Sequence, residues 1–260
     1  MTKLLFILLF LFSCSPTEPE DVHGCLDSQA CNYNSNATID NNSCFYEINC
    51  AGECSATGKV ELWGECYNIE ETTYLNLYNS ELTGEIPSEI GQLTNLIGIH
   101  LCCNELTGKI PSEIGNLTDL TQLHLFDNQL TGEIPLEIGQ LTNLTYLRLD
   151  NNQLTGEVPP EIENLSELEG LVLFSNHLTG EIPSEIGELT ELEALVLSSN
   201  QLIGEIPSEI GSLMNLIDFN LANNQLSGDI PQAVCDLIES NNLSIENILE
   251  GNNLINTCDD

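Results

Sequence analysis

A glycine recurs every 24 residues along most of this chain, and a proline follows each glycine three residues later. The glycines are Gly84, Gly108, Gly132, Gly156, Gly180, Gly204 and Gly228. A fixed period of this length is typical of solenoids, in which each unit buries its apolar face only against its neighbours. The spacing therefore predicts seven stacked coils.

One full unit, residues 144–167, reads LTYLRLDNNQLTGEVPPEIENLSE. Its Leu-x-Leu segment alternates as a short strand does, and stacking equivalent strands at about 4.8 Å predicts a parallel sheet. The proline ends a second extended edge because it cannot donate a hydrogen bond to a sheet. The Glu-Ile-Gly-x-Leu pattern that follows in most units predicts a short helical turn closed by glycine.

An asparagine follows the strand in nearly every unit. We expect its amide to satisfy main-chain groups at a buried turn and to form a ladder with the amides of neighbouring coils. The ladder residues are Asn104, Asn128, Asn152, Asn176, Asn200 and Asn224, and Ser80 takes this place in the first unit.

These units resemble the leucine-rich repeats of plant receptor ectodomains, whose consensus is LxxLxxLxLxxNxLtGxIPxxIGxLxx. The resemblance covers residues 72–235. It implies an α/β repeat fold, a leucine-rich-repeat solenoid with a concave parallel β-sheet, and a role in binding a partner on that sheet. We place seven repeats in residues 72–239, an N-terminal cap in 46–71 and a C-terminal cap in 240–260.

The amino-terminal end predicts export. A lysine precedes an unbroken apolar run, Leu4 to Phe12, which is too short to cross a bilayer as a helix. The segment LFSC, which ends at Cys14, resembles the lipobox of bacterial lipoproteins, and an ordinary cleaved signal is the alternative. We expect a signal peptide over 1–13, an acidic tether over 14–22 lipidated at Cys14, and an extracellular or cell-surface location on an outer membrane.

Eleven cysteines, most of them near the two ends of the chain, indicate disulfides in an oxidising compartment. A bond between Cys235 and Cys258 would close the last coil. For the neighbours Cys102 and Cys103, a local disulfide and free thiols are both open. The disulfide candidates are Cys25, Cys31, Cys44, Cys50, Cys54, Cys66, Cys235 and Cys258.

Residues 23–45 form a Cys- and Asx-rich module that resembles GCxDxxAxNYNxxAxxDxxSC segments of secreted proteins from marine bacteria. Its hard oxygen donors make Ca²⁺ a candidate cofactor. The alternative is that the Asx side chains cap their own main chain at turns. The candidate ligands are Asp27, Asn34, Asn36 and Asp40.

The chain carries 41 Asp and Glu against 4 Lys and Arg, for a formal net charge of −37. This charge excludes nucleic acid as a partner, because a phosphate backbone needs basic residues to replace its counterions. Many acids form two ridges outside the strands, which we interpret as solubilising. Divalent cations that bridge these ridges in a structural or adhesive surface protein are the alternative function. The ridges are Glu85, Glu133, Glu157, Glu181, Glu205 and Asp229, and Glu89, Glu113, Glu137, Glu161, Glu185 and Glu209.

The outward positions of the strands are largely uncharged and hold aromatic residues, histidines and the single arginine. Exposed aromatic residues mark interaction surfaces. We therefore predict that a protein or glycan partner binds there, and that the membrane is reached only through the lipid. The candidate partner-binding residues are Tyr74, Tyr78, His100, His124, Phe126, Tyr146, Arg148 and Phe174.

His100 and His124 fall at the same position of adjacent strands, with Cys102 two residues further on. Together they are a weak candidate for a soft metal such as zinc. The sequence offers no carboxylate pair, nucleophile elbow or phosphate loop at a position that a solenoid encloses. We therefore expect neither a catalytic residue nor a metal site in the repeats, and no enzymatic activity.

Overall fold

The computed structural model describes residues 23–24, 37, 39–40, 54 and 58–258. The chain divides into two compact units, residues 1–57 and 58–260. In the first unit the short strands His23–Gly24 and Ile39–Asp40 pair in parallel. Several expectations concern parts of the chain outside the described residues, and they stay predictions. These parts are the signal peptide, Cys14, the tether, the Ca²⁺ candidates Asp27, Asn34 and Asn36, and the side chain of Asp40. No helix of the described residues is long and apolar enough to cross a membrane.

Within residues 58–258, seven short strands stack in chain order into one parallel sheet, as predicted. The middle residue of each strand is buried, and its two neighbours point to the opposite face, as the period of two requires. We call this the main sheet and number the coils that begin at its strands 1 to 7. The strands are Tyr74–Asn76, Gly98–His100, Gln122–His124, Tyr146–Arg148, Gly170–Val172, Ala194–Val196 and Asp218–Asn220.

The predicted second extended edge forms short parallel ribbons between neighbouring coils. Thr83–Glu85 pairs with Glu105–Thr107, Thr131–Glu133 with Gln153–Thr155, and Ser227–Asp229 with Asn253–Ile255. In coils 1 to 6 a proline follows this edge and precedes a 3-10 helix, since its fixed φ suits a helix start. The 3-10 helices are Ser88–Gln92, Ser112–Asn116, Leu136–Gln140, Pro160–Asn164, Ser184–Glu188 and Ser208–Ser212.

The glycine of each helical turn has a different role from the one predicted. Gly91 lies inside its 3-10 helix rather than after it, and it is not among the positive-φ residues. A Cβ on Gly91 would lie 2.5 Å from the carbonyl oxygen of Glu113 in the next coil. The prediction of a closing glycine is therefore wrong, because this position is glycine so that two coils can approach each other closely.

The core is one continuous column of leucine and isoleucine. From coil 2 onward each coil contributes the middle residue of its strand, such as Leu123, and a leucine two residues later, such as Leu125, and both are buried. In coil 1 the second leucine, Leu77, is only partly buried. An aliphatic column of this kind is shared between neighbours, so no single coil could bury it alone.

The predicted asparagine ladder forms through the main chain, since each amide bonds to backbone groups of two coils. Asn152 Nδ2 donates to the carbonyl of Leu149 in its own coil at 3.1 Å and to that of Leu125 in the preceding coil at 3.0 Å. Its Oδ1 accepts the N–H of Leu130 at 3.0 Å, again from the preceding coil. The residue before each ladder asparagine, such as Asn151, adopts a positive φ. The amide thus binds the main chains of two coils at once.

Both ends of the solenoid carry an added element. An antiparallel hairpin, Lys59–Leu62 with Glu65–Asn68, lies in the predicted N-terminal cap and packs buried Val60 and Leu62 onto the core. At the other end an α-helix, Gln232–Asn241, replaces the 3-10 helix and is followed by the short helix Glu246–Leu249. Asn252 then continues the ladder, since its Nδ2 donates to Leu221 O at 2.9 Å.

The cysteines are partly as predicted. Cys235 and Cys258 form the expected disulfide, and Cys54 and Cys66 are also disulfide-bonded. Cys103, which was not among the candidates, is disulfide-bonded as well, whereas Cys102 is a buried free thiol in the described part of the chain. A local bond between these two neighbours is therefore ruled out. Cys25, Cys31, Cys44 and Cys50 lie outside the described residues.

Replacing one ladder amide should destabilise the solenoid. Asn152→Ala leaves main-chain groups of two coils without a partner, and we expect the free energy of unfolding to fall by about 2–4 kcal/mol. Urea unfolding followed by circular dichroism measures this change. Gln153→Ala removes an exposed side chain next to it and should change the stability by less than about 0.5 kcal/mol. Equal losses in the two variants would contradict the role of the amide.

Candidate functional site

The candidate residues lie on the open face of the main sheet, which we call the concave face. Its side chains come from the outward positions of the strands and from the residue two places beyond each strand. Because the strands are in register, residues of one column face each other across neighbouring coils, as His100 faces His124 and His124 faces Arg148. The register therefore decides which side chains meet.

Four of the eight candidates form one contiguous cluster over coils 2 to 4. The rings of His100 and His124 stack with centroids 4.6 Å apart and an interplanar angle of 8°. Phe126 contacts His124, with the ring centroids 6.2 Å apart. The guanidinium of Arg148 lies 4.0 Å from the centre of the Phe126 ring, a cation–π contact. We call these four residues the central cluster.

Two further residues, which the sequence analysis missed, hydrogen-bond to the central cluster. Arg148 donates from Nε and Nη2 to the two carboxylate oxygens of Asp150 at 3.2 and 3.1 Å. The side chain of Gln122 pairs with His100 Nε2 at 2.9 Å. Alternation along one strand places Asp150 beside Arg148, and the strand register places Gln122 one coil from His100. Comparing equivalent positions of successive repeats does not show either contact.

Burial dominates the electrostatics of the central cluster. It lowers the pKa of His124 to about 3, and the nearby charges of His100 and Arg148 act in the same direction. Within the described residues, Nε2 of His124 is buried without a hydrogen-bond partner. Asp150 is only 1% exposed, and burial raises its pKa although the Arg148 guanidinium opposes this. His124 is therefore neutral at ordinary pH and serves as a stacking surface.

Two tyrosines lean across to the next coil, where a glycine makes room for them. A Cβ on Gly98 would lie 2.8 Å from Cδ1 and Cε1 of Tyr74, and a Cβ on Gly170 would lie 2.8 Å from Cδ1 of Tyr146. The hydroxyl of Tyr146 donates to Glu169 at 2.7 Å. Each tyrosine is thus positioned by the neighbouring coil.

The candidate partner-binding residues differ in how exposed they are. Tyr74 and Tyr78 of coil 1 are 59% and 49% exposed, in agreement with an interaction surface. Phe126 is only 7% exposed because it lies beneath Arg148, so the expectation that it is exposed is wrong. Phe174 is half-buried on coil 5, away from the central cluster. Phe126 supports the surface and does not form its outer layer.

The geometry of His100, His124 and Cys102 does not suit the metal site considered for them. A metal ion binds an imidazole nitrogen in the plane of its ring at about 2.1 Å, and two stacked, parallel rings 4.6 Å apart have no such point in common. Burial also raises the pKa of the Cys102 thiol to about 11, so this thiol is uncharged at neutral pH. Among the residues that the structure describes, no group of three or more His, Cys, Asp or Glu side chains could hold a metal ion.

Two family models of leucine-rich repeats match this chain. A family model for a leucine-rich repeat region matches residues 99–201, and one for a single leucine-rich repeat matches residues 71–93, 191–213 and 215–237. Together the matches follow the coils from the first strand to the C-terminal helix. No curated protein matches this sequence.

Several solved structures are similar to this chain. The ectodomain of the Arabidopsis thaliana receptor kinase GASSHO1/SCHENGEN3, in complex with CASPARIAN STRIP INTEGRITY FACTOR 2, is 43% identical with a TM-score of 0.63, over 67% of this chain and 20% of that one. The Arabidopsis receptor kinase HAESA, with the peptide hormone IDA and the co-receptor SERK1, is 35% identical with a TM-score of 0.60, over 63% and 28%.

A bacterial structure is similar as well. A leucine-rich-repeat protein of Leptospira interrogans is 33% identical with a TM-score of 0.54, over 66% of this chain and 47% of that one. The chain therefore spans between about a fifth and a half of the length of these three structures.

The neutral, buried His124 makes stability depend on pH. The unfolded chain binds a proton near pH 6.5, whereas the folded protein binds it only near pH 3. The stability that the neutral His124 contributes is complete above pH 6.5 and is lost as the pH falls towards 3. The free energy of unfolding then falls by about 2–4 kcal/mol. Urea unfolding at pH 7.5 and pH 4 should show this loss in the unmodified protein and not in His124→Gln.

The matched control is His177→Gln, because His177 is exposed. Asp127 and Asp150 have raised pKa values and act in the opposite direction, but they are present in all three proteins and cancel in the comparison. If His177→Gln abolished the acid-dependent loss and His124→Gln did not, the assignment to His124 would be wrong.

Proposed function

This chain belongs to the leucine-rich-repeat proteins of the plant-receptor type, and we propose that it is an extracellular binding module that presents its concave face to a protein or glycan partner. The chain is similar to only part of each solved structure, so the partner has to be argued from this chain's own surface. The eight candidate residues are proposed as the centre of that surface.

One observation carries this proposal: large aromatic side chains stand exposed on the concave face of a protein with a net charge of −37. Tyr74 and Tyr78, at 59% and 49% exposed, lie in the same coil. Phe174 adds a half-buried ring on coil 5. Exposed aromatic residues cost solubility, and grouped on one face they mark an interaction site.

The central cluster makes this face rigid before any partner arrives. Arg148 is held by Asp150 on one side and by the Phe126 ring on the other, and the two histidine rings are stacked. Side chains that are already ordered lose little entropy on binding, which favours affinity. We propose that Arg148, His100 and His124 contact the partner directly and that Phe126 supports them.

The similar structures favour a protein partner over a glycan. The GASSHO1/SCHENGEN3 and HAESA ectodomains were solved with CASPARIAN STRIP INTEGRITY FACTOR 2 and with the peptide hormone IDA, respectively. An open sheet surface also suits an extended partner better than a small substrate, which needs an enclosed cavity. We therefore propose a binding role without catalysis, and no role in binding nucleic acid.

The disulfides support an extracellular location. The Cys235–Cys258 bond closes the last coil, and bonds of this kind persist in oxidising compartments. We propose that Cys14 carries a lipid that anchors the protein to an outer membrane.

The acidic ridges support the alternative function. The side chain of Glu133 packs over the next coil, where its Cγ lies 2.7 Å from the place of a Cβ on Gly156, and Glu157 packs in the same way over Gly180. The carboxylates therefore repeat along the solenoid, as an adhesive protein bridged by divalent cations would require.

Charged substitutions on the concave face should abolish partner binding and leave the fold intact. We expect Tyr74→Asp and Phe174→Asp each to weaken capture of the partner from the native cell surface or medium at least about tenfold, since interface aromatics often contribute more than 1.4 kcal/mol. Affinity capture quantified by mass spectrometry measures this, with circular dichroism as the check on folding.

Leu136→Asp is the matched control for these variants. Leu136 is 58% exposed but lies on a 3-10 helix and not on the main sheet, so this variant should bind as the unmodified protein does. If the concave-face variants bind the partner normally and a chelator abolishes cell attachment, the proposal is rejected in favour of the cation-bridged alternative.

The lipid anchor has its own test. In cells that express the protein, radiolabelled palmitate should be incorporated into the unmodified chain and not into Cys14→Ala, because the thiol is the attachment point. Cys102→Ala removes a buried free thiol and should leave labelling unchanged. Labelling that survives in Cys14→Ala would rule out the anchor.

A further inference from the structure

The concave face changes character between its two halves. Coils 1 to 4 carry the exposed tyrosines and the central cluster, whereas the strands of coils 5 and 6 present small side chains and Phe174 lies beyond the strand of coil 5. Gly170 is in register with Ala194, and Val172 with Val196. We call these four residues the apolar strip. Side chains of this size leave a shallow sheet surface that a partner's main chain can approach closely.

Two carboxylates flank the apolar strip on one side, and a third lies at its end. Glu169 and Glu193 immediately precede the strands of coils 5 and 6, and Asp218 begins the strand of coil 7, in register with Ala194. Glu169 and Glu193 are half-buried, and Asp218 is exposed. Glu169 and Glu193 therefore follow the strip at the spacing of the sheet, about 4.8 Å per coil, and Asp218 lies at its end in coil 7.

The hydroxyl of Tyr146 shows where the side chain of Glu169 points. It donates to Glu169 at 2.7 Å. Burial raises the pKa of Tyr146, and the hydrogen bond to Glu169 and the charges of Glu169 and Glu193 raise it further. Both carboxylates thus lie close to a ring that leans over Gly170 at the start of the strip.

A ligand that covers the apolar strip must also cover these carboxylates at its border. Removing a carboxylate from water without pairing it is costly, so a neutral or acidic ligand is disfavoured at this place. A lysine or arginine side chain would pair with the acids and would also be attracted to the Tyr146 ring. Among the described residues no cation lies there, since Arg148 is bound to Asp150 and Lys59 and Lys109 lie outside the main sheet.

Taking the concave face as the binding surface proposed above, we propose that its partner is an extended cationic peptide segment that lies over coils 5 to 7. Its small or apolar residues pack on the apolar strip, and its lysine or arginine side chains pair with Glu169, Glu193 and Asp218. The net charge of −37 attracts such a segment from a distance, and the three acids fix its position on contact.

Synthetic peptides test the chemistry directly. The probes are three fluorescein-labelled 12-residue peptides, four repeats each of Gly-Lys-Ala, Gly-Gln-Ala and Gly-Glu-Ala, and fluorescence anisotropy measures their binding at low and at physiological salt. Two triple variants separate the site from general attraction. Glu169→Gln/Glu193→Gln/Asp218→Asn removes three charges at the strip, and Glu137→Gln/Glu185→Gln/Glu209→Gln removes the same number from an outer ridge.

We expect only the lysine peptide to bind. The strip variant should weaken its affinity about tenfold, and the ridge variant by less than about twofold, because charges far from the ligand are screened by salt. Ala194→Trp, which places a large ring on the strip, should abolish binding without changing the circular dichroism spectrum.

Equal weakening by the two triple variants would show that the lysine peptide is attracted only by net charge, and would overturn the proposal. So would absence of binding, or equal binding of the glutamine peptide. If Ala194→Trp abolishes capture of the native partner while the strip variant captures it normally, the concave face still binds and only the cationic assignment fails. If neither variant affects capture of the native partner while Tyr74→Asp abolishes it, the partner binds elsewhere on the concave face and the strip proposal fails. If Tyr74→Asp and Phe174→Asp are harmless as well, the proposed function itself fails.

Discussion

The structure depends on one interaction, the hydrogen bonding of a buried asparagine amide to the main chains of two coils. Asn152 shows the arrangement: it donates to Leu149 in its own coil and to Leu125 in the preceding one, and it accepts from Leu130. Buried main-chain groups need partners, and at this turn the main chain cannot supply them all. Because one side chain binds both coils, it also fixes their spacing and register. Asn252 extends the same bonding into the C-terminal cap.

The fixed register turns a linear repeat into a surface. It stacks His100 on His124 and brings Arg148 over Phe126, although these residues lie 22 or more positions apart in the sequence. It also requires glycine in two places for a steric reason. Gly91 lets neighbouring helical turns approach closely, and Gly170 makes room for the Tyr146 ring. Packing and the proposed binding face therefore have the same origin.

Charge separates the two sides of the solenoid. The acids of the outer ridges repeat with every coil and keep the chain soluble. On the concave face the charges are few and individually placed: Arg148 is neutralised by Asp150, and Glu169 is held by the Tyr146 hydroxyl. The proposed function and the cationic peptide both rest on this contrast, since on a uniformly acidic surface a few carboxylates would carry no specificity.

The sequence by itself determined the coil number, the parallel sheet, the buried leucine columns, the asparagine ladder and the Cys235–Cys258 bond, because each follows from a period of 24 residues or from a position at the end of the repeats. It also identified which columns face outward. Only the tertiary structure decided which of those residues are exposed. Phe126 is buried because Arg148 lies over it, and Cys103 rather than Cys102 is disulfide-bonded. Such outcomes depend on side-chain directions and on contacts between coils, and a periodic sequence specifies the position of a side chain but not what covers it.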